Sequence, residues 1–429
     1  MLNIGYACQL VGFPDTVFRT CVARNATPDV LAGLIDHNLQ LLERILDFNR
    51  ANGLRLYRIS SDLIPFGSSP VNPLAWWELF APRLTRIGAQ LRASGQRVSL
   101  HPGQYTVLNS PDPDVVRRAV ADLAYHQRVL DSLGAGDESK IILHVGGAYG
   151  DKEAALARFR QVWATLDGAV RRRVVLENDD RCFTIADVLD LGRDLGLPVV
   201  FDNLHHALNP PVTALAGKRS DVDWIAACRP TWQPADGRQK IHYSQQDPAK
   251  SGGSHAQTIA PGPFLDFCHR LERDDLDIML EVKDKNLSAR KCQLCCPAAG
   301  LAARAVAAAL EQEWHHYKYT VLERSPADYL AIRELLKHKT DAPALTFYEQ
   351  IGQALNTAVV DPGQAENAAL HVWGYFKAAA AESERSRFFR LLADFRGGAV
   401  TIKPIKALLW QLTVKYQQKY LLDSYYFAL

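Results

Sequence analysis

The chain has 429 residues, 48% of them hydrophobic and 22% charged, which excludes a disordered, collagen-like or disulfide-scaffold protein and predicts one barrel plus an extra domain or two to three smaller domains. Lys and Arg number 49 against 47 Asp and Glu, so charge announces no nucleic-acid partner, and any such partner must be gripped by a local patch or by metal ions. No run of 18 apolar residues is present, the N-terminus lacks a basic stretch followed by an apolar run, and the eight cysteines are mostly scattered; the expectation is a cytoplasmic protein with no membrane association and no structural disulfides.

Residues 1–300 alternate short apolar runs with amphipathic stretches. The runs are 4–6, 54–59, 97–101, 140–145, 173–177, 198–202, 240–244 and 278–282, eight in all. Between them, stretches such as 30–49, 74–93, 113–133, 152–166, 185–195 and 264–271 carry apolar residues near a 3.6-residue period, as Leu31, Leu34, Ile35, Leu41, Leu42 and Ile45 do in the first. Eight such units in about 300 residues predict an α/β fold, a (β/α)8 TIM barrel. A doubly wound open sheet is the second choice, disfavoured because residues 5–12 supply no glycine-rich phosphate turn. Residues 301–313 are expected to close the barrel as its last helix. Residues 314–429 are nearly all helical in pattern, which divides the chain into a barrel over 1–313 and a C-terminal α-helical domain over 314–429.

Seven of the thirteen histidines fall between residues 101 and 255. His101, His144, His205 and His242 sit at or just past predicted strand ends, and Glu177, Asp202 and Glu281 take the same place on other strands. In a parallel barrel these ends open on one face, so the seven side chains converge. Three carboxylates gathered without a cation would have raised pKa values or destabilise the fold. Mixed imidazole and carboxylate donors suit Zn, Mn or Fe, and the number of donors points to two or three ions clamping a phosphate ester. His37, His126 and His269 lie on predicted helices and read as structural; His315, His316, His338 and His371 in the tail have no partnering carboxylates.

The motifs Ile4-Gly5-Tyr6, Tyr57 to Phe66 (YRISSDLIPF), His101-Pro102-Gly103-Gln104-Tyr105, Ser110-Pro111, His144 to Gly150 (HVGGAYG), Leu176-Glu177-Asn178-Asp179, Phe201 to His206 (FDNLHH), Lys240-Ile241-His242, Ser254-His255-Ala256 and Leu280-Glu281-Val282-Lys283 occur in this order across about residues 1–290. Together they resemble the UV damage endonucleases, metal-dependent DNA repair enzymes with a TIM barrel related to endonuclease IV. The resemblance implies metal ligation by His101, His144, Glu177, Asp202, His205, His242, His255 and Glu281, with Lys240, Glu177 and His242 as catalytic residues. It implies two to three divalent ions, manganese first and zinc second, and an uncharged or carboxylated Lys240. It further implies that a metal-activated water attacks the phosphodiester on the 5′ side of pyrimidine dimers and (6-4) photoproducts in double-stranded DNA. Gln104 and Tyr105 match the family's wedge into the duplex, and Tyr6 a supporting DNA contact. Arg58, Lys152 and Arg181 are candidate phosphate contacts.

One position departs from the family pattern. Many relatives carry a histidine where this chain has Ser69. A hydroxyl is a poor substitute for imidazole, so the ion nearest His101 is expected to be weakened. A lesion-binding protein that has lost cleavage, and a metal-dependent sugar isomerase or epimerase on the same barrel, are the alternatives. Metal content and the use of Gln104 and Tyr105 separate them. Cys292, Cys295 and Cys296 lie within five residues and lack a fourth ligand nearby in sequence, so reduced thiols in a loop are expected over a zinc or iron–sulfur site. The tail, through Tyr317-Lys318-Tyr319, His371 to Lys377 (HVWGYFK) and Phe395-Arg396-Gly397-Gly398, resembles the YbgA-type domain of unknown function. Trp373, Tyr375 and Phe376 there read as core before a stacking surface.

Overall fold

Eight parallel strands, β1 (Asn3–Ala7), β2 (Leu56–Arg58), β3 (Arg97–Leu100), β4 (Lys140–His144), β5 (Val174–Glu177), β6 (Val199–Asp202), β7 (Lys240–Tyr243) and β8 (Asp277–Leu280), close in sequence order, β8 pairing back onto β1. The structure is a computed structural model, and it describes residues 1–212, 219–337, 343–357 and 359–429. The open-sheet alternative is therefore excluded. Each strand is too short to bury much alone; the crossover helices cover the outside. The first, Pro28–Ala51, starts with Thr27 accepting the Val30 N–H and Pro28 at its first turn, and buries Leu31, Ile35, Leu42 and Ile45. Ile185–Leu195 is delimited by a Thr184/Asp187 capping box and by Gly196 in the left-handed region.

Where β1 and β2 meet, Gly5 pairs with Leu56, and a Cβ at residue 5 would lie 2.2 Å from the Leu56 carbonyl oxygen. Gly5→Ala is expected to destabilise the barrel by about 3 kcal/mol, the upper end of overpacking costs. A chemical denaturation midpoint equal to the parent's would refute this.

Helix boundaries depart from the sequence pattern where local chemistry intervenes. The stretch 74–93 is broken at Phe80 into Trp76–Leu79 and Ala81–Ser94, because Pro82 offers no N–H to continue a preceding helix. Residues 301–313 do not close the barrel. They enter Ala303–Arg324, and the helix following β8 is Asn286–Cys295. The cysteines at 292 and 295 are thus helical rather than in a loop. Asn286–Cys295 escapes hydrophobic periodicity because polar side chains hold it in place: Arg290 donates to Asn52 O (2.8 Å), Lys291 to Thr258 Oγ1 (2.5 Å) and Gln293 to Gly53 O (3.0 Å).

The chain divides into two compact units, Met1–Leu10 with Val17–Ala299, and Val11–Thr16 with Gly300–Leu429. The second is helical, with Trp373, Phe376, Phe388, Leu392 and Leu409 in its core and the Trp373 and Phe388 rings stacked 4.3 Å apart. Trp373 and Phe376 are therefore core residues; Tyr375 is half-buried and hydrogen-bonded through its hydroxyl to Tyr319 (2.8 Å). His315 and His316 bond the carbonyls of Tyr420 and Asp423, His371 is exposed, and His338 lies outside the described residues. Among the described residues no helix is long and apolar enough to cross a membrane.

Candidate metal centre

Side chains alternate between the two faces of a strand, so every second residue points into the barrel. Following Leu56, Ser99, Ile142, Val175, Val200, Lys240 and Met279 upward by two residues gives Arg58, His101, His144, Glu177, Asp202, His242 and Glu281. The interior layer below the mouth is mostly small or apolar, with Ile142, Val175 and Val200 in one cluster and Ala7, Leu56 and Met279 in another. The next layer is almost wholly ionisable. One turn of strand thus converts a packed core into a reactive face.

Glu177, fully buried, is the hub. Its Oε2 lies 3.1 Å from His101 Nε2 and 3.7 Å from His144 Nε2. Its Oε1 lies 2.8 Å from His242 Nδ1 and 3.6 Å from His205 Nδ1. Three overlapping groups have ligand atoms within 4.8 Å of one another: His101–His144–Glu177, Glu177–Asp202–His205 and Glu177–His242–Glu281. Asp202 uses Oδ1 to cap the helix Asn203–Leu208 through the His205 N–H (2.8 Å), while its buried Oδ2 has no hydrogen-bond partner. That cap also brings His205 to the mouth, where its Nδ1 lies 3.0 Å from Asn178 O, the kind of contact that orients a liganding imidazole. His255 arrives on the loop after β7, with Nε2 3.6 Å from Glu281 Oε2. All eight expected ligands therefore meet.

The charges are held in tension. Burial pushes His101 down to about 4 and Asp202 up to about 6. Burial opposes protonation of His205 too, but Asp202, Glu177 and Glu281 outweigh it and lift the ring to about 9. Burial opposes ionisation of Glu177 and Glu281, yet His242 and His144 hold Glu177, and Arg58 and His242 hold Glu281, below the usual carboxylate range. Buried donor atoms without partners, including His101 Nδ1, His144 Nδ1, His242 Nε2 and Asp202 Oδ2, complete a set that fits divalent cations.

Lys240 occupies the layer beneath, two residues before His242, wholly buried and with Nζ unpartnered. Burial drives its pKa far below the usual lysine value. It does not line the cavity above. That cavity, about 540 Å3, opens over His101, His144, His205 and Glu281 and has Arg58, Lys250 and Lys283 in its walls. Gln104 stands at its edge, and the neighbouring Tyr105 is 74% exposed.

Several expectations need correction. Tyr6 is wholly buried and donates its hydroxyl to Asn49 Oδ1 (2.8 Å); its place is in the barrel wall, not on a DNA-facing surface. Lys152 bonds Asp187 (2.5 Å), next to the cap of Ile185–Leu195, and lies outside the cavity wall. Arg58 does line the cavity but is ion-paired to Glu281. Ser69 accepts the Val71 N–H (3.3 Å) within its own turn. His126 is structural, bonded to Asp122 O and Ser61 Oγ. Lys250 had no signal in the sequence, because an isolated loop lysine looks like any solvated one, and Lys283 lay in the Leu280–Lys283 motif without being singled out as a contact.

Residues 4–311 match the family described as UV-endonuclease UvdE, and residues 318–429 match one described as a protein of unknown function (DUF1722). A UV DNA damage endonuclease of Clostridium perfringens (strain 13 / Type A) is 39% identical over 292 residues, covering 68% of this chain and 70% of that protein. One from Bacillus cereus (strain Q1) is 34% identical over 270 residues, covering 62% and 83%. The crystal structure of SacUVDE aligns with a TM-score of 0.63 and 36% identity, over 68% of this chain and 96% of that one.

Proposed function

The chain belongs to the UV-endonuclease UvdE family, and from that premise we propose that it is a metal-dependent repair endonuclease that nicks UV-damaged double-stranded DNA on the 5′ side of pyrimidine dimers and (6-4) photoproducts. The observation that carries this reading is the shared Glu177, whose two oxygens face two sets of imidazoles under an open cavity. His101, His144, Glu177, Asp202, His205, His242, His255 and Glu281 would hold two to three divalent ions, manganese first and zinc second. Such ions supply Lewis acidity and a nucleophile at neutral pH for phosphodiester hydrolysis.

The chain's own residues set the conditions for that chemistry. Glu177 is buried and ionised, so it presents two charged oxygens without competition from bulk water. His242, wholly buried, bonds Glu177 and fixes its orientation. Lys240 is wholly buried in the layer below, where burial disfavours a positive charge beneath the ions. Arg58 holds Glu281 in place and, with Lys250 and Lys283, gives the cavity cationic walls suited to phosphate.

Selection of damage rests on the exposed pair Gln104 and Tyr105. A lesion weakens stacking, so extruding it costs less than opening intact duplex, and an aromatic ring fills the gap. Tyr105→Ala is expected to lower nicking of irradiated plasmid by about tenfold, since one stacked ring is worth about 1–3 kcal/mol. Bound metal, measured by atomic emission, should not change; a full-rate variant would remove Tyr105 from the wedge.

Ser69 leaves the ion beside His101 with fewer side-chain donors, so this ion is the more weakly held. Ser69→His is expected to raise the manganese retained after gel filtration, and unchanged content would show that residue 69 is not near an ion.

The test of the function is nicking of supercoiled plasmid, irradiated against unirradiated, with Mn(II). Nicking confined to irradiated DNA supports the proposal. Binding of irradiated plasmid without nicking points to a lesion-binding protein, and neither binding nor nicking to sugar isomerisation.

A further inference from the structure

Two carboxylates of the barrel mouth are each followed by asparagine, as Glu177-Asn178 at the end of β5 and Asp202-Asn203 at the end of β6. Each asparagine side chain bonds the backbone of a residue at or just past the end of the next strand. Asn178, wholly buried, accepts the Asp202 N–H on Oδ1 (2.9 Å) and donates through Nδ2 to Asp202 O (3.1 Å). Asn203, half-buried, accepts the Ser244 N–H on Oδ1 (2.7 Å) and donates through Nδ2 to Ser244 O (2.9 Å).

An asparagine carboxamide carries the donor and the acceptor of a peptide group. The strand register shows which peptide it replaces. Leu176 lies opposite Val199, and its N–H donates to Pro198 O (3.0 Å). A parallel ladder carried two residues further would spend the Asn178 carbonyl on the Asp202 N–H. The Asn178 side chain takes that bond instead, and the Asn178 carbonyl lies 3.0 Å from His205 Nδ1. The exchange recurs between β6 and β7, where Asp202 lies opposite His242. There the Asn203 side chain takes the Ser244 N–H, while the Asn203 backbone opens the helix Asn203–Leu208 that carries His205. The strand ends stay tied where the ladder stops, and the freed backbone seats an imidazole.

We propose that Asn178 and Asn203 are positioning residues for the metal centre, whose carboxamides extend the β5–β6 and β6–β7 ladders by one step and so set the spacing of Glu177, Asp202, His205 and His242. The proposal rests on the reading of the barrel mouth as a metal centre. Asn178 has the larger effect, because it touches two members of one ligand group, Asp202 through its side chain and His205 through its carbonyl. Asn203 acts at Ser244, two residues beyond His242. Leucine branches at Cγ as asparagine does but makes neither hydrogen bond. In Asn178→Leu the Asp202 N–H regains a partner only from the carbonyl of residue 178, which withdraws that carbonyl from His205.

The test measures two quantities on the full-length protein. One is the Mn(II) dissociation constant, by equilibrium dialysis with atomic emission. The other is the Mn(II) concentration giving half-maximal nicking of irradiated plasmid. Both are expected to rise about tenfold in Asn178→Leu, the usual scale for losing a partner that orients a ligand, and by a smaller factor in Asn203→Ala. The KM for irradiated plasmid should stay parental, and saturating Mn(II) should restore nicking, which a merely structural defect would not allow. Gln96→Ala is the control. Gln96 is a buried carboxamide just before β3, at the opposite end of the barrel, donating to Leu46 O (3.0 Å) and Ser94 Oγ (2.9 Å). Its loss should lower the melting temperature at parental Mn(II) affinity. Circular dichroism checks the folding of each variant; Asn178→Ala replaces the leucine variant if that one unfolds, and Asn203→Ala carries the test if both do. Parental Mn(II) affinity in the folded asparagine variants overturns the proposal, as does an equal loss of affinity in Gln96→Ala. A parent protein that binds no Mn(II) overturns the metal reading of the mouth, and this proposal with it.

Discussion

Glu177→Gln is expected to leave irradiated plasmid intact, lowering the nicking rate on the order of 10³-fold. The amide keeps the shape of the carboxylate but removes the charge that both imidazole sets share, and its NH2 points a donor where a cation needs an acceptor. His101, His144, His205 and His242 lie within 3.7 Å of this one side chain, so no neighbouring residue replaces it. Retained manganese should fall with activity. Near-parental nicking at unchanged metal content would show that Glu177 is not the shared ligand, and attention would pass to Glu281 and Asp202. Because His242 and His144 hold the Glu177 carboxylate ionised, neutralising it also costs stability, so circular dichroism checks that the variant is folded before its rate is read.

Chelation is expected to lower the melting temperature of the parent protein by about 5–7 °C. An ion at 100 to 1,000 times its dissociation constant stabilises the folded state by about 3–4 kcal/mol, and a barrel unit of about 290 residues shifts by about 1.6 °C per kcal/mol. The reason is local: three carboxylates lie in one buried layer, and only Arg58 and the imidazoles offset them when no ion is bound. Thermal melts with Mn(II) and with EDTA measure the difference. In Glu177→Gln that difference should shrink to about 2 °C or less. Identical melts of the parent under both conditions would mean that ions do not bind the folded state there.

These two results are independent properties of the barrel mouth. The first concerns which atom joins the two ligand sets; the second concerns whether a cation resolves the electrostatic tension of the mouth. A protein that loses activity in Glu177→Gln yet melts at the same temperature with and without chelator would have a catalytic Glu177 without a structural ion.

The sequence by itself determined the barrel and most of the candidate metal centre. Eight short apolar runs between amphipathic stretches have one economical arrangement, and period-two alternation makes a strand-end residue such as His144 or Glu177 point the same way on every strand. Local chemistry is legible when it lies on a regular element. Only the tertiary structure decided the rest. It put Tyr6 into the wall, because its hydroxyl finds Asn49 on a helix 43 residues away. It tied Arg58 to Glu281 across 223 residues. It made Asn286–Cys295 a buried helix through polar contacts that hydrophobic periodicity does not register. In each case the deciding partner is distant in the chain, and a contact between distant residues is a property of packing that no local pattern encodes.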